Sequence, residues 1–309
     1  MAELLKKHFL SEITPQLFAD NTFMSRALND DAFVNNNTVE LPHSGTIPAV
    51  AVDRTTLPAA IAKRTDAPSN YSLSELTSDP TLIQDSEELI VAYNKRASVL
   101  KQHVDKINEK GADMLLNLWA DGGETPEGAG LGIVTTGANR AATANGATGV
   151  RKAVTAKDIL AGRAVMDRAD IPQNGRVMVI PATMYNDLFE IDDFIDASKF
   201  GKAIQPEGFV GRIYGIDVYM RSKVNSFLGA DYSLIAEGAA GAATHCHGIL
   251  MWQEGQVRRA KGSTKVYMNV DEAAYYGSIF SAMCRLGGSP TRNDKKGIVS
   301  SCCELFLWR

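Results

Sequence analysis

The sequence predicts an α+β protein in which one very long helix and separate blocks of strand share a sizeable core. Three observations carry that expectation. Between Ser86 and Trp119, apolar or small residues recur at Leu89, Tyr93, Ala97, Leu100, Val104, Ile107, Gly111, Met114 and Leu118. These three- and four-residue steps mark one buried helical stripe. From Thr38 to about Pro80 no helical period survives, and short stretches alternate instead. Arg176–Pro181 is a short continuous apolar run, as a strand covered on both faces requires.

With 309 residues, 45% hydrophobic and 22% charged, the chain can bury a core in one large or two smaller domains. A net charge of -4 and a pI near 5.8 argue against a dedicated nucleic-acid binder held by phosphate contacts. Met1–Leu10 carries Glu3, Lys6 and Lys7 and lacks the apolar run of a signal peptide. No window approaches twenty apolar residues, so no membrane span is expected and the chain reads as a soluble product of the cytosol.

Taken in order, the chain opens with an arm: a short amphipathic helix at Ala2–Leu10, a second candidate at Pro15–Ala27, then a polar stretch ending in Asn35-Asn36-Asn37. The arm has too little apolar surface to fold alone and needs a partner, on this subunit or another. Val39-Glu40-Leu41 and Tyr71–Leu76 alternate on either side of a proline-marked middle, which suggests a long hairpin. A loop of this length is disordered or reaches across to something, and its alternation favours reaching. The long helix follows, with Ser86 as N-cap, Glu87 and Glu88 in its first turn, and Asp121-Gly122-Gly123 as its stop. At 1.5 Å per residue it would reach roughly 50 Å. Its opposite face carries Lys95, Lys101, Asp105, Lys106, Glu109 and Lys110 and is expected to be wet or to meet a polar partner.

Gly128, Gly130 and Gly132 match neither the Walker A nor the dinucleotide fingerprint, so the Ala/Thr/Asn/Gly run that follows to Gly149 reads as a surface loop. Thr155 and Asp158 form a capping box for a helix carrying Ile159, Leu160, Val165 and Met166. After the strand at 176–181, Met184, Tyr185, Leu188 and Phe189 predict the inner face of a short helix. An acidic loop with Asp192, Asp193 and Asp196 precedes a glycine-flanked strand in which Ile216, Val218 and Met220 alternate.

The ordered set of capped helix, Pro-x-x-Gly-Arg turn, buried strand ending in Pro181, short helix and Gly211-x-x-x-Gly215-Ile-x-Val strand resembles the axial domain of major capsid proteins of tailed bacteriophages, which share the Hong Kong 97 type capsid fold. The resemblance implies an N-terminal arm at 1–37 and an extended loop at 38–84. A peripheral domain with the spine helix is then implied at 85–154, and the axial domain at 155–244. Peripheral-domain strands are implied at 245–290 and a closing strand of the axial domain at 291–309. The specific part lies at about 155–222, and the run at 128–150 has no counterpart among the family's elements.

The function implied is structural: self-assembly of many copies, as hexamers and pentamers, into the icosahedral shell of a phage head around double-stranded DNA. A weakly negative chain suits DNA packed beside it without tight binding. The resemblance further implies a portal protein, a separate scaffolding protein, a possible decoration protein, no membrane, assembly in the host cytoplasm and residence in the virion. Some relatives weld subunits through a lysine–asparagine isopeptide bond. Lys63 is the sole lysine of the extended loop, and nothing in its surroundings marks such chemistry. Gly111 inside the spine is open to two readings, a hinge that lets the helix bend or close packing against a sheet.

No catalytic, cofactor-binding or metal residue is assigned. His245-Cys246-His247 places two histidines on one strand face without a second ligand pair nearby in sequence. Cys246, Cys284, Cys302 and Cys303 fit no zinc ribbon and read as reduced thiols. Two alternatives stay open: an encapsulin-like cargo shell, which shares the fold, and a nucleotide-binding α/β enzyme. The second lacks a glycine fingerprint after a strand and any Ser-His-Asp or Cys-His arrangement.

Overall fold

The computed structural model describes residues 21–43, 45, 50–55, 57–58, 61, 63–64, 66–84, 95–120, 132–191, 209–229, 232–292, 294–302 and 305–306. The first arm helix, the start of the spine, the Gly128–Gly130 cluster, the acidic loop and Cys303 lie outside these residues.

A seven-stranded mixed sheet centres on β10 (Arg176–Pro181), with β12 (Ile216–Arg221) parallel on one side and β14 (His245–Gln253) antiparallel on the other. β11 (Phe209–Ile213) flanks β12, while β17 (Ile298–Cys302) follows β14 and pairs in parallel with β7 (Gly132–Val134). β13 (Ser226–Leu228) pairs with the start of β14. Every residue of β10 is buried, as its unbroken apolar run predicts. The period-two geometry of a strand divides those side chains between two cores. Met178 and Ile180 face a cluster with Ile159 and Met166 of α2 (Ala156–Arg168) and Met184 and Leu188 of α3 (Ala182–Leu188). Val177 and Val179 face a second cluster with Leu115, Leu116 and Trp119 of the spine, α1 (Lys95–Trp119).

The capping box of α2 is present, with Thr155 and Asp158 each accepting from the other's backbone. The turn before β10 is held by Arg176, whose buried guanidinium donates to the carbonyls of Pro172 and Ile171 at 3.0 and 2.7 Å. In α3, Met184 and Leu188 point inward and Tyr185 packs half-buried against their cluster, while Phe189 is exposed and meets the Tyr185 ring edge-on. In β12, Ile216 and Val218 are buried while Met220 is exposed.

A second sheet is built on the hairpin of β15 (Val257–Glu272) and β16 (Gly277–Pro290). β5 (Ser74–Thr77) and β6 (Thr81–Gln84) pair with β16, and β1 (Leu28–Asn29) runs parallel to the base of β15. Two three-stranded sheets complete the description. One joins β2 (Val34–Asn35), β3 (Thr38–His43) and β4 (Ala67–Ser72). The other joins β8 (Asn139–Ala141), β9 (Val150–Lys152) and β18 (Leu305–Phe306).

Three expectations need correction. Segment 245–290 is divided: β14 belongs to the sheet of β10, and only residues from Val257 onward build the second sheet. The run to Gly149 is not all loop, because β8 pairs with β9 just beyond it; β18, from the far end of the chain, supplies the pairing that local sequence could not announce. The buried face of the spine is rotated from the expected stripe. Ile107 and Gly111 lie on it, but Ala112, Leu115, Leu116 and Trp119 fill it while Val104 and Leu118 are exposed. Two partners, β16 on one side and the β10 sheet on the other, widen the stripe and shift its centre.

A Cβ at Gly111 would stand 2.6 Å from Leu286 Cδ2 and 3.4 Å from Leu76 Cδ1, which favours close packing over hinging. Gly111→Ala gains about 1 kcal/mol of helix propensity but overpacks the site by about 1–3 kcal/mol, for a small net loss in denaturant melts. In a Gly111→Ala/Leu286→Ala variant the clash is gone, and the stability lost should be less than the sum of the two single losses. Strict additivity would contradict the packing account.

Candidate functional site

Among the described residues, no group of three or more His, Cys, Asp or Glu side chains comes together as a metal site. His245 and His247 share one face of β14, as their spacing predicts, and both border a cavity of about 610 Å³ together with Arg221, Lys223 and Asn225. Burial pushes the His247 imidazole below its ordinary pKa, against an opposing hydrogen bond with the Thr143 backbone, so it is neutral at physiological pH. The described residues present apolar surface on two hairpins, and a charged clamp between the spine and the end of β12.

The first hairpin is formed by β3 and β4, paired from Thr38↔Ser72 to His43↔Ala67. Its base is tied down: Val39 packs with Leu73 and Ala260, and the Tyr71 hydroxyl donates to Asp30 Oδ2 at 2.9 Å while Arg258 reaches Asp30 Oδ1 at 2.8 Å. Burial and the neighbouring Asp30 raise the Tyr71 pKa, so the phenol stays a donor. Beyond the base, Val50, Val52, Leu57 and Ile61 are all exposed, Ile61 completely. Lys63 is exposed on the same loop.

The second hairpin is the outer half of β15 and β16. β1 covers β15 only at Arg258 and Arg259, and Asp31 accepts from the Lys261 N–H at 2.6 Å. Farther out, no described strand pairs with the outer edge of β15, and Val266, Tyr267, Met268, Val270, Tyr275 and Tyr276 are exposed, Tyr276 to 81%. A long open edge invites strand pairing from another chain. Lys261, Lys265 and bulges after Lys261 and Asn269 restrain it, devices that limit indiscriminate pairing. The sequence reading did not single out this edge. Its signal is Val266, Met268 and Val270 on one face of the strand, with Tyr267 beside Asn269 on the other, the four large hydrophobic side chains all exposed.

The clamp joins the spine to the end of β12. The Arg221 side chain is 1% exposed and meets Asp113 at 2.5 Å. It also donates to the Glu109 carbonyl and to Asn21 Oδ1, both at 3.3 Å, and lies 5.8 Å from the centre of the Phe23 ring. Glu109 accepts from Lys223 at 2.8 Å and Lys106 at 2.7 Å, and Lys110 pairs with Glu237. Glu109, expected on the wet face, is therefore buried beneath cations from two directions. Burial opposes its charge, but the hydrogen bonds from Lys106 and Lys223 win and hold its pKa below the usual glutamate value. For Asp113 burial prevails over Arg221, and its pKa is raised. An arginine after an apolar strand was visible in the sequence; its partner more than a hundred residues away was not.

No family model matches the sequence, and no curated protein matches it. Solved structures do. The capsid of the cyanophage P-SCSP1u is 16% identical with a TM-score of 0.65, over 94% of this chain and 90% of that one. The capsid of Ralstonia phage GP4 is 13% identical with a TM-score of 0.60, over 97% and 95%. A capsid chain of a native GTA particle is 13% identical with a TM-score of 0.60, over 94% and 93%. The chain therefore has the Hong Kong 97 type capsid fold.

Removing one partner of a buried ion pair strands the other. Arg221→Ala should cost roughly 3 kcal/mol in the unfolding of dispersed subunits, and Arg221→Ala/Asp113→Ala less than the sum of the single variants. Glu109→Gln should cost roughly 2 kcal/mol at neutral pH through weakened charged hydrogen bonds. Because the folded pKa of Glu109 is depressed, that deficit is complete above the ordinary glutamate range and closes as pH falls through the folded value. A deficit independent of pH in urea melts would count against the charged clamp.

Proposed function

We propose that this chain is the major capsid protein of a tailed bacteriophage, and that copies of it close into an icosahedral head around double-stranded DNA. The observation that carries this reading is a near-full-length capsid fold whose two hairpins hold exposed apolar side chains and an open strand edge. A subunit of this kind completes its burial only against copies of itself. The β3–β4 loop lies over a neighbour, and the outer edge of β15 meets another subunit where several come together. The work done is mechanical: many modest contacts, repeated around a closed wall, contain the packaged DNA.

Hexamers and pentamers are the building blocks in this reading, a portal protein takes one vertex, and a separate scaffolding protein sets the curvature. DNA is held by enclosure rather than by recognition, in keeping with the net charge of -4. The assembled particle is the virion head, put together in the host cytoplasm. The same fold would also serve an encapsulin-like cargo shell, and particle contents separate the two.

Full-length protein, expressed alone and with its neighbouring genes, should elute as pentamers, hexamers or megadalton particles, and negative-stain images should show closed shells. Particles containing DNA support the viral head; a protein cargo in their place supports the cargo shell. A stable 33.4 kDa monomer under all conditions would overturn the assembly reading. Met268→Asp/Tyr276→Asp should lower the assembled fraction about tenfold or more, since each buried side chain is worth about 1.5–3 kcal/mol, while subunit melting is unchanged.

A further inference from the structure

We propose that Cys246 and Cys302 are a redox pair that closes into an intrachain disulfide, fastening β14 to β17. Their sulfur atoms lie 2.7 Å apart, and both residues are buried. That separation is shorter than the contact of two non-bonded sulfurs and about 0.6 Å beyond a covalent S–S bond of roughly 2.05 Å. The sheet brings them together. Cys302 stands opposite Gly248 in the β14–β17 ladder, so Cys246, two residues earlier, is its diagonal neighbour on the same face.

The surroundings hold the pair in place. A Cβ at Gly248 would lie 2.1 Å from Phe227 Cε2, so the missing side chain is what admits the Phe227 ring beside the sulfurs. The Cys246 thiol donates to the Phe227 carbonyl at 3.3 Å, which fixes its rotamer toward β13 and Cys302. Cys284 is in a different cluster, with Ile107 and Ala282 on the spine side of β16.

The oxidant is a small-molecule disulfide such as oxidised glutathione. One cysteine loses its proton, and the thiolate attacks an oxidant sulfur, breaking the S–S bond and expelling one glutathione thiolate. The second cysteine, also deprotonated, attacks the protein sulfur of the mixed disulfide and expels the other. The protein gives up two electrons and two protons, which end on two glutathione thiols. Cys302 is the last residue of β17, so opening of the strand end admits the oxidant. In a reducing cytosol the pair stays open; outside the cell the bond forms. It closes a loop between positions 56 apart and should raise the melting midpoint by several degrees.

The bond lies within one chain, so it is tested on dispersed subunits and does not depend on the shell reading. Full-length protein is treated with oxidised glutathione, denatured and alkylated with N-ethylmaleimide. Two of the four cysteines should then resist alkylation, without a glutathione adduct, and a reducible cross-linked peptide should contain Cys246 and Cys302. Cys284→Ser and Cys303→Ser should keep the bond, and Cys302→Ser should lose it. Four alkylated cysteines, glutathione adducts alone, or a bond mapped to Cys284 or Cys303 in the unaltered chain would overturn the proposal.

Discussion

Three aromatic rings hold this subunit together. Phe23, Trp119 and Trp252 meet with centroids 5.5 to 6.1 Å apart, Phe23 edge-on to both indoles. Each comes from a different part of the chain: the arm, the last turn of the spine and the centre of the seven-stranded sheet. Both indole N–H groups are satisfied, Trp119 by the Arg258 carbonyl and Trp252 by the Arg26 carbonyl, each at 2.9 Å. The apolar faces exclude water while the polar edges lock orientation. Arg221, with its guanidinium near the Phe23 ring, anchors the adjoining clamp, so packing and charge fix the same joint.

That joint explains why the molecule divides into a rigid body and exposed extensions. Around it, the spine lies between the β16 hairpin and the sheet of β10, and side chains are buried on every surface it shares. Away from it, β15 from Lys261 to Asp271 and the described residues of the β3–β4 loop have little of their own chain to pack against. Here the exposed apolar side chains sit on two hairpins, one of them flanked by β6 along the outer part of β16.

The local elements were legible because local chemistry specifies them. The capping box at Thr155 and the both-sided burial of 176–181 follow from residue types within a few positions. The hairpin from Thr38 is present, but its return strand is Ala67–Ser72, and Ser74–Thr77 of the expected Tyr71–Leu76 arm pairs with β16 instead. What escaped depended on distant partners. Glu109 reads as solvated beside Lys106 and Lys110, and only Lys223, brought alongside by the sheet, makes it a buried carboxylate. Gly248–Trp252 looks like any apolar strand, so its place next to β10 rather than in the long hairpin had no signature of its own. The arm was expected to need a partner surface, and Phe23 finds one on its own subunit. The exposed hairpin surface was hardest to foresee, since apolar residues on a strand read like core until their exposure is seen.

The Phe23 socket has a consequence for biogenesis. Its walls include Trp252, and the cluster around it extends to Ile298, 275 positions after Phe23. A segment that leaves the ribosome early must therefore wait for one made far later before it can be seated. Chains that stop short of Ile298 would lack a finished centre.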